Sequence, residues 1–91
     1  MLARRFFISG LVQGVGFRYY VLREVERIGA IHGYVRNVRD GRVEVYAEAE
    51  ERELQELETS LRRGPRSSHV IQVDVTDEIP EGRFREFGVT Y

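Results

Sequence analysis

The strongest constraint on the fold is the order in which apolar periodicity changes along the chain. Residues 5–12, Arg5-Phe6-Phe7-Ile8-Ser9-Gly10-Leu11-Val12, are rich in aromatic and β-branched side chains and read as a buried strand. Gln13-Gly14-Val15-Gly16 interrupts it with two glycines. Val21, Val25 and Ile28 then recur at helical spacing, with Leu22 beside them and Arg23, Glu24, Glu26 and Arg27 on the opposite face. Gly29 is the expected stop. Residues 32–39 and 42–48 read as the second and third strands, and the Asp40-Gly41 between them is a strong hairpin signal. In the third strand Val43, Val45 and Ala47 alternate with Glu44, Tyr46 and Glu48, which predicts one buried face and one wet face. Residues 50–63 form a second helix with Leu54, Leu57 and Leu61 as its stripe. Its acidic start and its Arg62-Arg63 end suit the helix dipole, and Gly64-Pro65 ends it. Residues 70–75 read as a fourth strand, and Phe84, Phe87 and Val89 suggest a short final one.

The order is βαββαβ with one C-terminal addition. Two helices on one face of an antiparallel sheet make an α+β sandwich of the ferredoxin-like kind. At 91 residues, a single domain spanning the chain is expected. This architecture hosts many activities, so function has to be read from a site.

Composition narrows the chemistry. There is no cysteine, so no disulfide, thiolate nucleophile or Cys-based zinc site. All 14 basic residues are Arg, which excludes a Schiff-base lysine and the lysine of a Walker-type loop. Asn37 is the sole asparagine. A net charge of −1 argues against a broad electrostatic grip on nucleic acid. No stretch approaches the roughly 20 apolar residues that span a bilayer, and the N-terminus has no signal-peptide pattern, so a cytoplasmic protein is expected.

Gly14-Val15-Gly16-Phe17-Arg18 lies between a strand and a helix, where backbone N–H groups converge on anions and the helix N-terminus adds partial positive charge. Arg18 would begin the helix with a guanidinium able to fork two phosphate oxygens. On spacing alone, a tight turn with a surface arginine explains the segment equally well. Phosphate cradles of the Cys-x5-Arg kind carry a thiolate at the first position, where this chain has Val12. A catalytic loop of this composition would use water as nucleophile, on a substrate with a good leaving group.

The segment Gly10-Leu11-Val12-Gln13-Gly14-Val15-Gly16-Phe17-Arg18 resembles the first acylphosphatase motif, G-x-V-Q-G-V-x-F-R. Gly33-Tyr34-Val35-Arg36-Asn37, followed by Gly41-Arg42-Val43, resembles the second. Ala49 departs from the family's usual Gly, at a position expected near the start of the second helix. The resemblance covers nearly the whole chain. It implies hydrolysis of the carboxyl–phosphate bond of small acyl phosphates, giving a carboxylate and inorganic phosphate, with no metal or other cofactor. It also implies that Gly14, Val15, Gly16, Phe17 and Arg18 hold the phosphoryl group, while the Asn37 amide positions water. Inorganic phosphate is then expected as product and inhibitor, and the protein as a monomer.

Other candidates are weaker. His32 and His69 lack metal-ligand spacing, and Ser67-Ser68-His69 is no nucleophile elbow. Glu48, Glu50, Glu51 and Glu53 read as a solvated helix start. Of Tyr19 and Tyr20, one is expected to pack and the other to line the acyl entrance. The Tyr91 carboxylate is placed near Arg18 if the last strand ends beside the cradle. Three rivals stay open: a single-stranded RNA binder, a domain within a carbamoyl-transfer enzyme, and a small-anion sensor that keeps the cradle without turnover.

Overall fold

The computed structural model describes residues 1–91. Its elements are β1 (Leu2–Leu11), α1 (Phe17–Ile28), β2 (His32–Asn37), β3 (Val43–Ala49), α2 (Glu51–Arg63), β4 (His69–Glu78) and β5 (Phe87–Val89). The sheet order is β4-β1-β3-β2-β5. The first four of these strands pair antiparallel as expected, while β5 runs parallel to β2 and makes the sheet mixed.

The helices end where the sequence placed their stops. Gly29 caps α1 by donating to the Val25 carbonyl at 2.8 Å, and Gly64 caps α2 by donating to Ser60 at 3.0 Å. Both helices bury their apolar stripes on one face of the sheet. Val21 and Val25 of α1 and Leu54, Leu57 and Leu61 of α2 meet Phe6, Ile8, Val35, Val43 and Val45 in one core. The helices are also tied to each other. Tyr20 donates its hydroxyl to the Ser60 carbonyl, and Ser60 Oγ donates to Glu24, both at 2.7 Å.

The expectation of a wet face on β3 is corrected. All seven β3 residues are buried, Glu44, Tyr46 and Glu48 included. The cause is remote in sequence: the segment between β4 and β5 folds back over the far side of the sheet. Phe84 packs its ring 5.8 Å from Tyr34 and 5.4 Å from Tyr46. Glu48, far from being solvated, accepts the Tyr46 hydroxyl and the Glu81 amide at 2.6 Å and the Gly82 amide at 3.2 Å. Burial and the Glu48 carboxylate together push the Tyr46 hydroxyl up to about 12. Glu44 accepts Tyr34 Oη at 2.8 Å, Arg36 Nε at 2.6 Å and Arg5 Nη1. The far face is therefore a second, polar layer whose charges are compensated, as buried ions require.

β4 is the open edge. Its pairing with β1 shifts register between Ser9 and Gly10, leaving Ile71 out of the ladder and 72% exposed. Asp74, Asp77 and Glu78 line the same strand. A bulge and repeated acids are the usual defences against edge-to-edge pairing. No helix is long and apolar enough to cross a membrane.

Burial opposes ionisation of Glu44, but its bonds from Tyr34, Arg36 and Arg5 outweigh that and hold its carboxyl below the ordinary 4.5. A carboxylate depressed on folding stabilises the fold fully above its unfolded value and loses that contribution as pH falls through the folded one. Thermal melts should therefore show stability constant near neutrality and declining below about pH 4.5. Glu44→Gln should cost about 2 kcal/mol or more at pH 7, because two arginines lose their shared counter-charge, and should flatten the acid decline.

Candidate active site

Topology brings the two motifs together. β1 and β2 are not neighbours, since β3 lies between them, but both run antiparallel to β3 and so share an edge for their C-terminal ends. Ile8, Val43 and Asn37 form one row across the three strands. Side chains in such a row point to the same face, and Ile8 and Val43 point into the core under the helices. Asn37 therefore occupies an apolar-parity position at the last row of the core, facing the start of α1.

The turn from β1 to α1 is built on left-handed backbone. Gly14 has φ 74° and Gly16 φ 79°, and an added Cβ at either would meet nothing within 4 Å. Glycine is demanded here by torsion rather than by space. Gly16 caps α1 with no side-chain partner, and the first helical bond runs from the Tyr20 amide to the Gly16 carbonyl at 3.0 Å. The amides of Phe17, Arg18 and Tyr19 are thus left without a helical acceptor.

A pocket of about 190 Å³ opens at this point, bounded by Gly14, Gly16, Phe17, Arg18 and Asn37 together with Val12 and Tyr19. Val12, at the position of the absent thiolate, is 1% exposed. Phe17 turns its ring inward, edge-on to Tyr20 at 5.8 Å. Val15 is not among the lining residues. It packs on the core margin, and its carbonyl accepts Ser67 Oγ at 2.7 Å.

Two contacts hold the turn in place, and neither was legible in the sequence. Ser67 ties its outer side through Val15. Gln13 ties its inner side to the β2–β3 hairpin: Nε2 donates to the carbonyls of Val38 at 2.7 Å and Arg42 at 2.9 Å. Val38 directly follows Asn37, so one amide side chain couples the backbone of both motifs. The hairpin closes itself independently of Asn37. Val38 donates to Arg42 at 2.8 Å, Gly41 to Val38 at 3.0 Å, and Asp40 Oδ1 accepts the Arg42 amide at 3.1 Å.

The tyrosines divide as expected. Tyr20 is buried against α2, whereas Tyr19 is 72% exposed beside the pocket. The last strand does end near Arg18, but the contact is with a ring: the guanidinium lies 5.5 Å from the Tyr91 ring centroid. His32 opens β2 and His69 opens β4, on strands separated by β3 and β1. Ala49 ends β3, one residue before the Glu50 cap of α2, and is buried against the core rather than near the pocket.

Comparison with known proteins places the chain as a whole. The acylphosphatase family profile matches residues 4–89. An acylphosphatase of Pasteurella multocida is 44% identical over 91 residues, covering the whole of both chains. Another, from Koribacter versatilis, is 43% identical over 94% of this chain and 77% of its own. The crystal structure of acylphosphatase from Bacillus subtilis superimposes with a TM-score of 0.94 at 37% identity, over all of both chains. Profile, relatives and fold agree with the two motifs: the chain belongs to the acylphosphatase family.

Proposed function

We propose that this protein hydrolyses the carboxyl–phosphate anhydride of small acyl phosphates in the Gly14–Arg18 pocket, with Asn37 positioning the attacking water. The observation that carries the proposal is the shared pocket. An arginine, a row of amides free of helical acceptors and one carboxamide line the same hollow, the first two from the start of α1 and the last from the end of β2.

The chemistry matches that inventory. Arg18 and the amides from Gly14 to Arg18 neutralise the phosphoryl oxygens as charge redistributes in the transition state. The Asn37 side chain accepts from, or donates to, a water held in line with the bond to be broken. The water oxygen bonds to phosphorus, the P–O bond to the acyl group breaks, and the carboxylate leaves with the electron pair. One water proton stays on the new phosphate oxygen, and the other passes to the phosphate or to solvent. A carboxylate needs no general acid to depart, so a pocket without His, Lys or a paired carboxylate suffices, and positioning supplies the rate. Gln13 acts at one remove, holding the hairpin that carries Asn37 at a set distance from the cradle.

Hydrolysis of benzoyl phosphate in EDTA is the direct test. Turnover by the parent protein should fall about 10²–10³-fold in Asn37→Ala, the scale for one oriented transition-state contact. Arg18→Ala should lose at least as much and also weaken inhibition by inorganic phosphate. Absence of turnover in the parent, with phosphate still bound, would leave an anion sensor instead. For Gln13→Ala the expected loss is about tenfold in kcat, from two hydrogen bonds that align the halves of the site. Its inhibition by phosphate should stay within about twofold, since the Ser67 bond to the Val15 carbonyl still holds the cradle turn. An equal loss of both would mean that Gln13 shapes the cradle itself.

A further inference from the structure

A second hollow, of about 280 Å³, adjoins the first and is lined by Arg18, Tyr19, Leu22, Val89 and Tyr91. Arg18 and Tyr19 border both hollows. A molecule held by one end at the cradle therefore has this hollow beside it for its other end.

The lining has a definite chemical character. Four of its five residues are hydrophobic, and none has an acidic side chain. Leu22 and Val89 are partly buried and packed on the core, so they form a fixed floor. Tyr19 and Tyr91 stand above it, 72% and 94% exposed, with their rings not consumed by packing inside the fold. The Arg18 guanidinium carbon lies 5.5 Å from the centroid of the Tyr91 ring, so the ring borders the cation at the mouth of this hollow.

Taking the hydrolysis proposed above as its basis, we infer that this second hollow is an acyl subsite selecting flat apolar acyl groups, aromatic ones foremost. An aromatic acyl phosphate would place its phosphoryl group in the cradle and its ring against Tyr19 and Tyr91, over Leu22 and Val89. Offset or edge-on contact between rings rewards that fit. An acetyl group has no ring to engage the two tyrosines and gains little from them. An anionic acyl chain would lose hydration without finding a cation other than Arg18, which the phosphate already occupies.

The test compares benzoyl phosphate with acetyl phosphate as substrates for the full chain. In Tyr19→Ala the ratio of kcat/KM for benzoyl phosphate to that for acetyl phosphate should fall about three- to tenfold, through KM. Tyr91→Ala should move the ratio in the same direction, and Tyr19→Phe should restore it, because the ring and not the hydroxyl carries the contact. Both tyrosines are exposed, so these changes leave the core intact. A ratio within twofold of the parent in both alanine variants would overturn the subsite while leaving hydrolysis standing. Failure of the parent protein to hydrolyse either compound would overturn the hydrolysis itself, and the subsite with it.

Discussion

A strand buried on both faces governs this structure. β3 sits in the middle of the sheet with every side chain enclosed, so it needs two covers of different kinds. On one side the helices supply an apolar layer against Val43, Val45 and Ala47. On the other, Glu44 and Glu48 can be enclosed only because arginines, tyrosine hydroxyls and backbone amides converge on them. That second cover is a chain segment with almost no regular structure, held by a buried carboxylate and a cluster of aromatic rings. It also delivers β5 to the sheet beside β2, and so brings Val89 and Tyr91 to the neighbourhood of Arg18.

The pocket follows from the same centrality. With β3 interposed, the ends of β1 and β2 are separated by two strand spacings, about 10 Å. Neither strand alone carries both the glycine turn and Asn37, and the pocket opens in the gap between them. A gap of this kind is useful only if its width is constant. Gln13 spans it from the turn to the hairpin, and Ser67 braces the turn from outside. The site is thus assembled from a core row, a left-handed turn and a bridging side chain, with no mobile lid invoked.

Much of this was legible in the sequence because the signals are local. Helix stops at Gly29 and Gly64, the Asp40-Gly41 hairpin and the two apolar stripes each depend on a few neighbouring residues. Arg18 and Asn37 stand in two long motifs, and the fold places both at one pocket. The buried state of Glu44 and Glu48 was not legible, because alternation reports two faces but not what later folds across them. Gln13 carried no signal of its own role. Its partners are backbone carbonyls 25 and 29 residues away, and carbonyls have no sequence identity. The sequence shows that one of Tyr19 and Tyr20 packs but not which, because that depends on which of two adjacent helix positions faces α2.

The pairing of Arg36 with Glu44 has a consequence beyond stability. These two residues are directly opposite in the β2–β3 ladder, one row before Asn37 and Val43 and on the reverse side of the sheet. Moving β2 by a single residue would turn its side chains over. Arg36 would then be driven toward the apolar layer and Asn37 would face away from the turn. The ion pair on the far face accordingly works as a registration mark. Together with the Tyr34 hydroxyl on the same strand, it makes the alignment that satisfies a buried carboxylate the same alignment that turns Asn37 toward the glycine turn.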